Sequence, residues 1–368
     1  MKTFLTGSEG YIGSVLGPRL LAAGHQVTGL DTGYYSDGCL FRADAAEIPA
    51  CLRRDVRTLR ARDVEGCDAV VHLAELSNDP LGQLRPEVTH DINHAGTVNL
   101  ARACREAGVA RFVYTSSCSV YGAADAGVVT ESSPVNPQTT YAQCKVLVEG
   151  DVSRLAGRHF SPVFLRNSTA YGASPRMRFD LVLNNLAGYA WTTREIRMFS
   201  DGTPWRPLVH VRDICEAILH ALEAPREAVH CQILNVGDPA ANYRVREVAE
   251  VVASVFPGCT TSFGPSGGDN RSYRVSFEKI REHLPAFSCS WDARKGAEEL
   301  LTLFGRVELS EDMFMSRRFT RLKQLEYLIR TGQINDDFLW QTDRETRPTV
   351  ESEAADLETA RMLNSPPT

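Results

Sequence analysis

The sequence lacks the patterns that mark several large classes of protein. Its ten cysteines stand singly with no CxxC pair, and its nine histidines form no HExxH motif. We therefore expect neither a disulfide framework nor a metal site. No hydrophobic run reaches the length of a membrane span, and no block of basic residues offers a surface for nucleic acid. Because Met1 leads directly into the first predicted strand, we expect a cytoplasmic protein that binds neither membrane nor nucleic acid.

The remaining composition is that of a large globular protein. The chain has 368 residues, of which 43% are hydrophobic and 23% charged, and its net charge is −6. Strand-like and helix-like segments alternate through the first 165 residues, with strands predicted at KTFLT, HQVTGL, CLRRDV, DAVVHLA, ARFVYTS and PVFLR. This alternation predicts an α/β fold with a Rossmann-type, doubly wound parallel sheet.

Glycine recurs at every third position near the start of the chain. Gly7, Gly10 and Gly13 follow the first predicted strand and lead into an apolar helical pattern. In this context, a GxxGxxG turn lets a pyrophosphate approach the backbone amides at a helix N-terminus. Asp31 stands at the tip of the second predicted strand, where a carboxylate hydrogen-bonds a ribose 2′-hydroxyl and repels a 2′-phosphate. The sequence therefore predicts NAD as the cofactor.

Beyond residue 165 the alternation loosens, which predicts a second, smaller α/β lobe. We assign 1–165 to an NAD-binding Rossmann domain with returning segments near 205–237, and 166–304 mainly to a substrate-binding lobe. The segment 305–340 is predicted to be a helical extension. The polar segment 341–368 is predicted to be a disordered tail.

Tyr141 and Lys145 are four residues apart in the string YAQCK. On a helix, residues at this spacing share a face, so the ammonium would lie beside the phenol and stabilise the phenolate. Lowering the pKa of a tyrosine by about three units needs roughly 4 kcal/mol, which one close cation and the positive ring of a cofactor could supply. Tyr141 is thus predicted to be a base that takes the proton of an alcohol or sugar hydroxyl.

These motifs together resemble the extended short-chain dehydrogenase/reductase family, specifically its nucleotide-sugar epimerases and dehydratases. The likeness covers roughly residues 1–300 and rests on Asp31 and on the strings TGSEGYIG, VVHLAE, NHAGTVNL, YTSSCSVYG, YAQCK and LRNSTAYGAS. It implies a tightly held NAD that oxidises the sugar, usually at C4, and a keto-sugar that is then epimerised, dehydrated or decarboxylated.

The resemblance also implies roles for individual residues. The catalytic residues it implies are Tyr141, Lys145, Ser117 and the neighbouring Ser116. The implied cofactor-binding residues are Gly7, Gly10, Tyr11, Ile12, Gly13, Asp31, Asp55, Val56, Leu73 and Ala74, with Tyr141 and Lys145 at the nicotinamide ribose. The implied substrate-binding residues are Glu75, Ser117, Thr169, Asn184 and the two arginines Arg206 and Arg271, which would clamp a diphosphate.

Three positions depart from the family pattern. Cys118 and Ser119 occupy the places where the 4,6-dehydratases carry Asp-Glu, so the acid and base for eliminating water are missing. Glu75 follows HxA, where the family has a small residue. Its carboxylate would serve as an extra acid or base, read a sugar hydroxyl, or turn to solvent or a local partner. Thr169 replaces the usual Asn of RxxNxYG.

The resemblance first implies an NAD-dependent nucleotide-sugar epimerase that acts at C4 through a transient 4-keto intermediate. Alternatives within the family are a 4,6-dehydratase with displaced acids, a decarboxylase, a 3,5-epimerase and a keto-sugar reductase. A non-catalytic NAD-sensing protein on the same fold is a further alternative, but it would need neither Tyr141 nor Lys145. The family commonly pairs the helices carrying TVNLARACREA and YAQCKVLVEGDVSRLA across a twofold axis, so we expect a homodimer.

Overall fold

The computed structural model describes residues 1–42, 48–77, 79–266 and 271–341. Contacts divide the chain into two units after Tyr327. The predicted tail at 341–368 lies outside the described residues, apart from Gln341. The domain boundaries predicted near residues 165 and 304 stay predictions.

Fourteen strands and thirteen α-helices are present in the described residues. The strands are β1 (Lys2–Thr6), β2 (Gln26–Asp31), β3 (Ala50–Arg53), β4 (Ala69–His72), β5 (Arg111–Ser117), β6 (Ala123–Val129), β7 (Ser161–Asn167), β8 (Thr169–Tyr171), β9 (Glu195–Arg197), β10 (Trp205–His210), β11 (Ile233–Val236), β12 (Asn242–Arg244), β13 (Thr260–Ser262) and β14 (Ser272–Val275). The helices are α1 (Gly13–Ala22), α2 (Asp79–Leu84), α3 (Pro86–Thr89), α4 (Thr97–Glu106), α5 (Thr140–Ser153), α6 (Val182–Thr192), α7 (Val211–Glu223), α8 (Arg226–Val229), α9 (Val245–Val255), α10 (Glu278–His283), α11 (Ala293–Arg306), α12 (Glu311–Met315) and α13 (Arg321–Arg330).

Seven parallel strands form the central sheet in the order β11-β7-β5-β4-β1-β2-β3. Strand order reverses between β1 and β4, since β2 and β3 extend to one side of β1 and the later strands extend to the other. All four residues of β4 and all seven of β7 are buried, as expected for strands covered by helices on both faces. The predicted Rossmann-type fold is therefore confirmed. Ligands of such sheets bind at the reversal, outside the carboxyl ends of the strands.

Among the described residues of the unit Met1–Tyr327, three smaller sheets lie outside the central sheet. Strand β10 pairs in parallel with β8 and antiparallel with β12, while β9 pairs with β13 and β6 with β14. Of the segment predicted to return to the Rossmann sheet, β11 joins its edge beside β7, and α7 packs beside α1. Strand β10 does not join that sheet. Its residue Leu208 pairs with Thr169 of β8, and Thr169 lines a cavity at the carboxyl ends of β1 and β4.

Two apolar clusters hold these elements together. One lies around the central sheet and includes Leu5, Val113 and Leu234, together with Ile214 and Ile218 of α7. The other lies in the smaller lobe, where residues of α6, α9 and α11 pack against one another. Within the described residues, no helix is both long enough and apolar enough to cross a bilayer.

Candidate active site

A cavity of about 630 Å³ opens at the carboxyl ends of β1 and β4. Eighteen of the nineteen predicted site residues line it, and Asn184 does not. Those at the cavity are Gly7, Gly10, Tyr11, Ile12, Gly13, Asp31, Asp55, Val56, Leu73, Ala74, Glu75, Ser116, Ser117, Tyr141, Lys145, Thr169, Arg206 and Arg271. The fold thus brings together residues that are up to 264 positions apart (Gly7 to Arg271) in one space.

The glycine-rich turn forms a narrow backbone cradle. Gly7 has φ of 71°, and a Cβ on it would lie 2.8 Å from the amide nitrogen of Ala74. A Cβ on Gly13 would lie 2.0 Å from the carbonyl oxygen of Gly7. Helix α1 follows at once, and neither a side-chain cap at Ile12 nor an acidic residue in its first turn competes for its amides. This geometry suits the diphosphate of a dinucleotide.

Asp31 and Asp55 line the part of the cavity next to β2 and β3. The Asp31 carboxylate accepts backbone hydrogen bonds from Glu9 at 3.1 Å and Gly33 at 2.8 Å, which fixes its orientation at the tip of β2. The Asp55 carboxylate is already engaged by the guanidinium of Arg57, with the closest contact at 2.7 Å. These positions fit the residues expected beside an adenosine, and NAD is the cofactor that an acid at position 31 favours.

Tyr141 and Lys145 lie in the first turns of α5. Thr139 caps this helix by accepting a hydrogen bond from the amide of Ala142 at 3.2 Å. The ammonium of Lys145 lies 5.2 Å from the centroid of the Tyr141 ring and donates to the carbonyl of Thr115 at 2.5 Å. The predicted side-by-side placement of phenol and ammonium is thus present, in a cleft next to the glycine-rich turn.

Glu75 is the local partner of Lys145. The two form a buried ion pair, each with 3% of its side chain exposed, and Tyr114 donates its hydroxyl hydrogen to Glu75 at 2.6 Å. Burial raises the pKa of the Glu75 carboxyl, and the contacts with Lys145 and Tyr114 offset only part of that effect. Burial also disfavours the charged form of Lys145, but the charges of Glu75 and Tyr141 outweigh it and raise the pKa of Lys145.

Ser117 and Ser116 end β5 but have different partners. The Ser117 hydroxyl accepts from the amide of Ser119 at 3.1 Å and lies at the cavity. The Ser116 hydroxyl donates at 2.6 Å to Glu149, which also holds the guanidinium of Arg166 at 2.7 Å. The Ser116 hydroxyl thus has a buried carboxylate as its partner, and its catalytic role stays a prediction.

Asn184, which is predicted to contact the substrate, does not line the cavity. Its side chain is fully buried, and its oxygen accepts from the amide of Gly172 at 2.9 Å. Its nitrogen donates to the hydroxyl of Tyr11 at 3.2 Å and to the carbonyl of Arg178 at 3.1 Å. Both hydrogens of this amide are therefore donated to protein oxygens.

Two further arginines, Arg178 and Arg321, line the cavity although the sequence did not predict them there. Arg178 lies in the short loop before α6 and is 7% exposed. Its guanidinium forms an ion pair with Asp180 at 2.9 Å. Arg321, in the first turn of α13, is 2% exposed and also lines the cavity. The spacing of Arg321, Leu325 and Leu328 placed this arginine on the apolar stripe of a helix, which was a signal that it would be buried.

Comparisons with known proteins agree with this geometry. A sequence model of the NAD dependent epimerase/dehydratase family matches residues 3–237. The UDP-glucose 4-epimerase of Mycolicibacterium smegmatis is 31% identical over 307 residues, covering 77% of this chain and 92% of the relative. The UDP-glucose 4-epimerase of Streptomyces lividans is 29% identical over 276 residues, covering 69% of this chain and 80% of the relative.

A solved structure gives the same result. MoeE5 in complex with UDP-glucuronic acid and NAD superposes with a TM-score of 0.71 and 28% identity, covering 83% of this chain and 99% of that chain. Residues 3–237, which the family model matches, include Ser117, Tyr141 and Lys145. Arg271 and Arg321 lie beyond them.

Proposed function

Because this chain belongs to the NAD dependent epimerase/dehydratase family, we propose that it is an NAD-dependent epimerase that inverts C4 of a nucleotide-diphosphate sugar. One observation carries the proposal. Tyr141 and Lys145 lie side by side on α5, in the same cavity as the backbone cradle of Gly7 and Gly13. A protein that only sensed NAD would need the cradle but not the phenol and the ammonium.

The protein's own groups perform the proton transfer. Tyr141 removes the proton from the C4 hydroxyl as the carbon is oxidised, and it returns the same proton when the ketone is reduced on its other face. Lys145 stabilises the phenolate and holds the ribose of the cofactor, and Ser117 hydrogen-bonds the reacting oxygen. When bound, NAD supplies the redox chemistry by accepting the C4 hydride and giving it back to the same carbon.

The residues beside Ser117 argue against two alternative reactions. The acid and base of a 4,6-dehydratase are replaced by Cys118 and Ser119. The Cys118 thiol is 1% exposed, donates to the carbonyl of Arg166 at 3.2 Å, and has its pKa raised by burial to about 12. A thiol in this state cannot readily exchange a proton with a sugar carbon, which disfavours a 3,5-epimerase.

The substrate class is inferred from the relatives and from the cations at the cavity. Several relatives are UDP-glucose 4-epimerases, and MoeE5 binds UDP-sugars. Arg206 and Arg271 line the same cavity, where guanidinium groups suit the diphosphate of such a ligand. Thr169, in β8, lines the same cavity, and we assign it to contact with the sugar. We further propose a cytoplasmic homodimer that serves carbohydrate biosynthesis.

Mass spectrometry tests the proposal directly. The purified protein is incubated in deuterated water, without added reductant, with UDP-, GDP-, CDP- and dTDP-sugars. We expect an isomeric product without solvent deuterium, because the C4 hydride returns to its own carbon. Deuterium incorporation without mass loss would replace this mechanism with a carbanion epimerisation. Loss of water or carbon dioxide would establish a lyase, and bound NAD with no turnover of any sugar would favour the sensor.

A further inference from the structure

Arg321 is a buried cation that forms no ion pair with the described residues. Among the described residues, no carboxylate lies within ion-pairing distance of its guanidinium. Its Nη1 is buried with no hydrogen-bond partner, and its Nη2 makes one long contact, 3.4 Å, to the carbonyl of Arg176. Burial lowers its pKa to about 10. A guanidinium buried in this way is costly unless a ligand completes its contacts.

The other buried cations at the cavity differ in this respect. Lys145 is paired with Glu75, and Arg178 is paired with Asp180 at 2.9 Å. Their charges are already balanced by protein carboxylates. Arg321 is therefore the buried side chain at this cavity whose charge and hydrogen-bond donors best fit an incoming anion.

The neighbours of Arg321 indicate which part of the ligand it faces. Its guanidinium lies 3.9 Å from the centroid of the Tyr35 ring, and Tyr35 lies in the loop that follows Asp31 and lines the cavity. Asp31 and Asp180 are the carboxylates close enough to act on its charge. Tyr141 is instead among the groups that act on Arg178. Arg321 thus lies beside the loop that follows Asp31, on the dinucleotide side of the cavity.

The segment that carries Arg321 is fastened to that loop. Gln324, on the same helix, is 1% exposed and donates to the carbonyl of Tyr34 at 3.0 Å. A Cβ on Gly38 would lie 2.2 Å from the carbonyl oxygen of Arg318, so the two backbones are in close contact. The carbonyl of Phe319 accepts from the amide of Phe179 at 3.0 Å. These contacts hold the guanidinium in place before any ligand arrives.

We propose that Arg321 binds the diphosphate of NAD, so that the segment beyond the family's matched range forms part of the cofactor site. The glycine-rich turn supplies backbone amides, and Arg321 supplies the cationic donors that this turn lacks. This inference rests on the proposed NAD-dependent function. It adds a cofactor-binding residue that the family match, which ends at residue 237, does not contain.

Calorimetric titration of the full-length protein, stripped of cofactor, tests this assignment. The variant Arg321→Met removes the charge and keeps the apolar stem, Arg321→Lys keeps the charge, and Lys323→Met removes an exposed cation from the same helix as a control. Each protein is titrated with NAD, with ADP-ribose and, in competition, with adenosine. Thermal unfolding of the cofactor-free proteins shows whether each variant folds.

We expect Arg321→Met to weaken binding of NAD and of ADP-ribose by a similar factor of roughly 10 to 100, with adenosine changed by less than about 3-fold. Arg321→Lys should recover part of the loss, and Lys323→Met should bind as the wild type does. Unchanged NAD binding in Arg321→Met would overturn the assignment, as would an equal loss for adenosine. A loss confined to a UDP-sugar on the NAD-loaded enzyme would also overturn it. If the wild type itself did not bind NAD, the proposed function would fail instead.

Discussion

The Glu75 carboxylate and the Lys145 ammonium form a buried ion pair at the candidate active site. Both also contact Tyr114, whose hydroxyl donates to Glu75 at 2.6 Å and whose ring centroid lies 4.5 Å from the Lys145 nitrogen. Lys145 is the cation proposed to stabilise the Tyr141 phenolate. Because the negative charge of Glu75 lies next to that cation, it offsets part of the field that acts on Tyr141.

The substitution Glu75→Gln should shift the pH dependence of catalysis. It removes the negative charge while keeping the size of the side chain, so the Lys145 charge acts on Tyr141 without compensation and the pKa of Tyr141 falls. The acidic limb of the profile of kcat/KM against pH should move to lower pH, by roughly one unit. Initial rates of epimerisation from pH 5 to 10 measure the shift.

Loss of activity at every pH would contradict this interpretation, provided that Glu75→Gln folds. That result would make Glu75 an acid or base of the reaction itself. A suitable control is Glu326→Gln, which neutralises an exposed carboxylate on α13 and should leave the profile unchanged.

Replacing Tyr141 by Phe should lower kcat by about 10²- to 10⁴-fold, which is the usual contribution of a positioned acid–base group. Binding of NAD should remain, because the cradle of Gly7 and Gly13 is untouched. Tyr189→Phe is the matched control, since Tyr189 is 37% exposed on α6 and does not line the cavity. Stopped-assay turnover together with the NAD content of the purified protein separates the two effects. Near-normal turnover in Tyr141→Phe would assign the proton transfer to another group.

Local signals made the cofactor half of the site predictable from the sequence. Gly13 is required by the close approach of the Gly7 backbone within a short stretch, and Asp31 ends a strand that the sequence itself predicts. The spacing of Tyr141 and Lys145 likewise depends only on one helix. Such features depend on residues near one another along the chain, so their pattern survives in the sequence alone.

Partners from distant segments account for the contacts that the sequence did not predict. Asn184 donates a hydrogen bond to Tyr11, 173 positions away, and Ser116 donates one to Glu149. Strand β6 went unpredicted because its pairing partner is β14, more than 140 residues later in the chain, and its sequence AADAGVV shows little alternation. The partner of Glu75 was left open for the same reason, since only the fold shows that Lys145 takes it up.

His72 should make the stability of the protein depend on pH. Its ring is fully buried between Thr6, at 2.6 Å, and Thr97, at 2.7 Å, and burial followed by the charge of Lys145 lowers its pKa to about 3. The unfolded chain binds a proton at His72 below about pH 6.5, whereas the folded protein does not until about pH 3. The contribution of the neutral, buried His72 to the free energy of unfolding is therefore complete above about pH 6.5. It is lost as the pH falls from about 6.5 to about 3.

Between pH 7 and pH 5, the neutral His72 should account for a loss of about 2 kcal/mol in the free energy of unfolding. Urea denaturation at the two pH values measures the loss, and His72→Gln should reduce it by about that amount. The control is His159→Gln, which replaces an exposed histidine and should leave the difference between the two pH values nearly unchanged. An identical loss in wild type and His72→Gln would show that other groups determine the acid sensitivity.

Leu147 should lie in the contact between the subunits of the proposed homodimer. It is 42% exposed on α5, which packs beside α4, the other helix expected at the twofold axis. A glutamate there would bury a charge without a partner in the interface, so Leu147→Glu should convert a dimer of about twice the 40.6 kDa chain mass into a monomer. Light scattering coupled to size-exclusion chromatography measures the mass.

Leu52→Glu, at a residue 44% exposed on β3, is the matched control and should stay dimeric. A wild-type protein that is monomeric at micromolar concentration, or a Leu147→Glu variant that stays dimeric, would place the interface elsewhere or remove it.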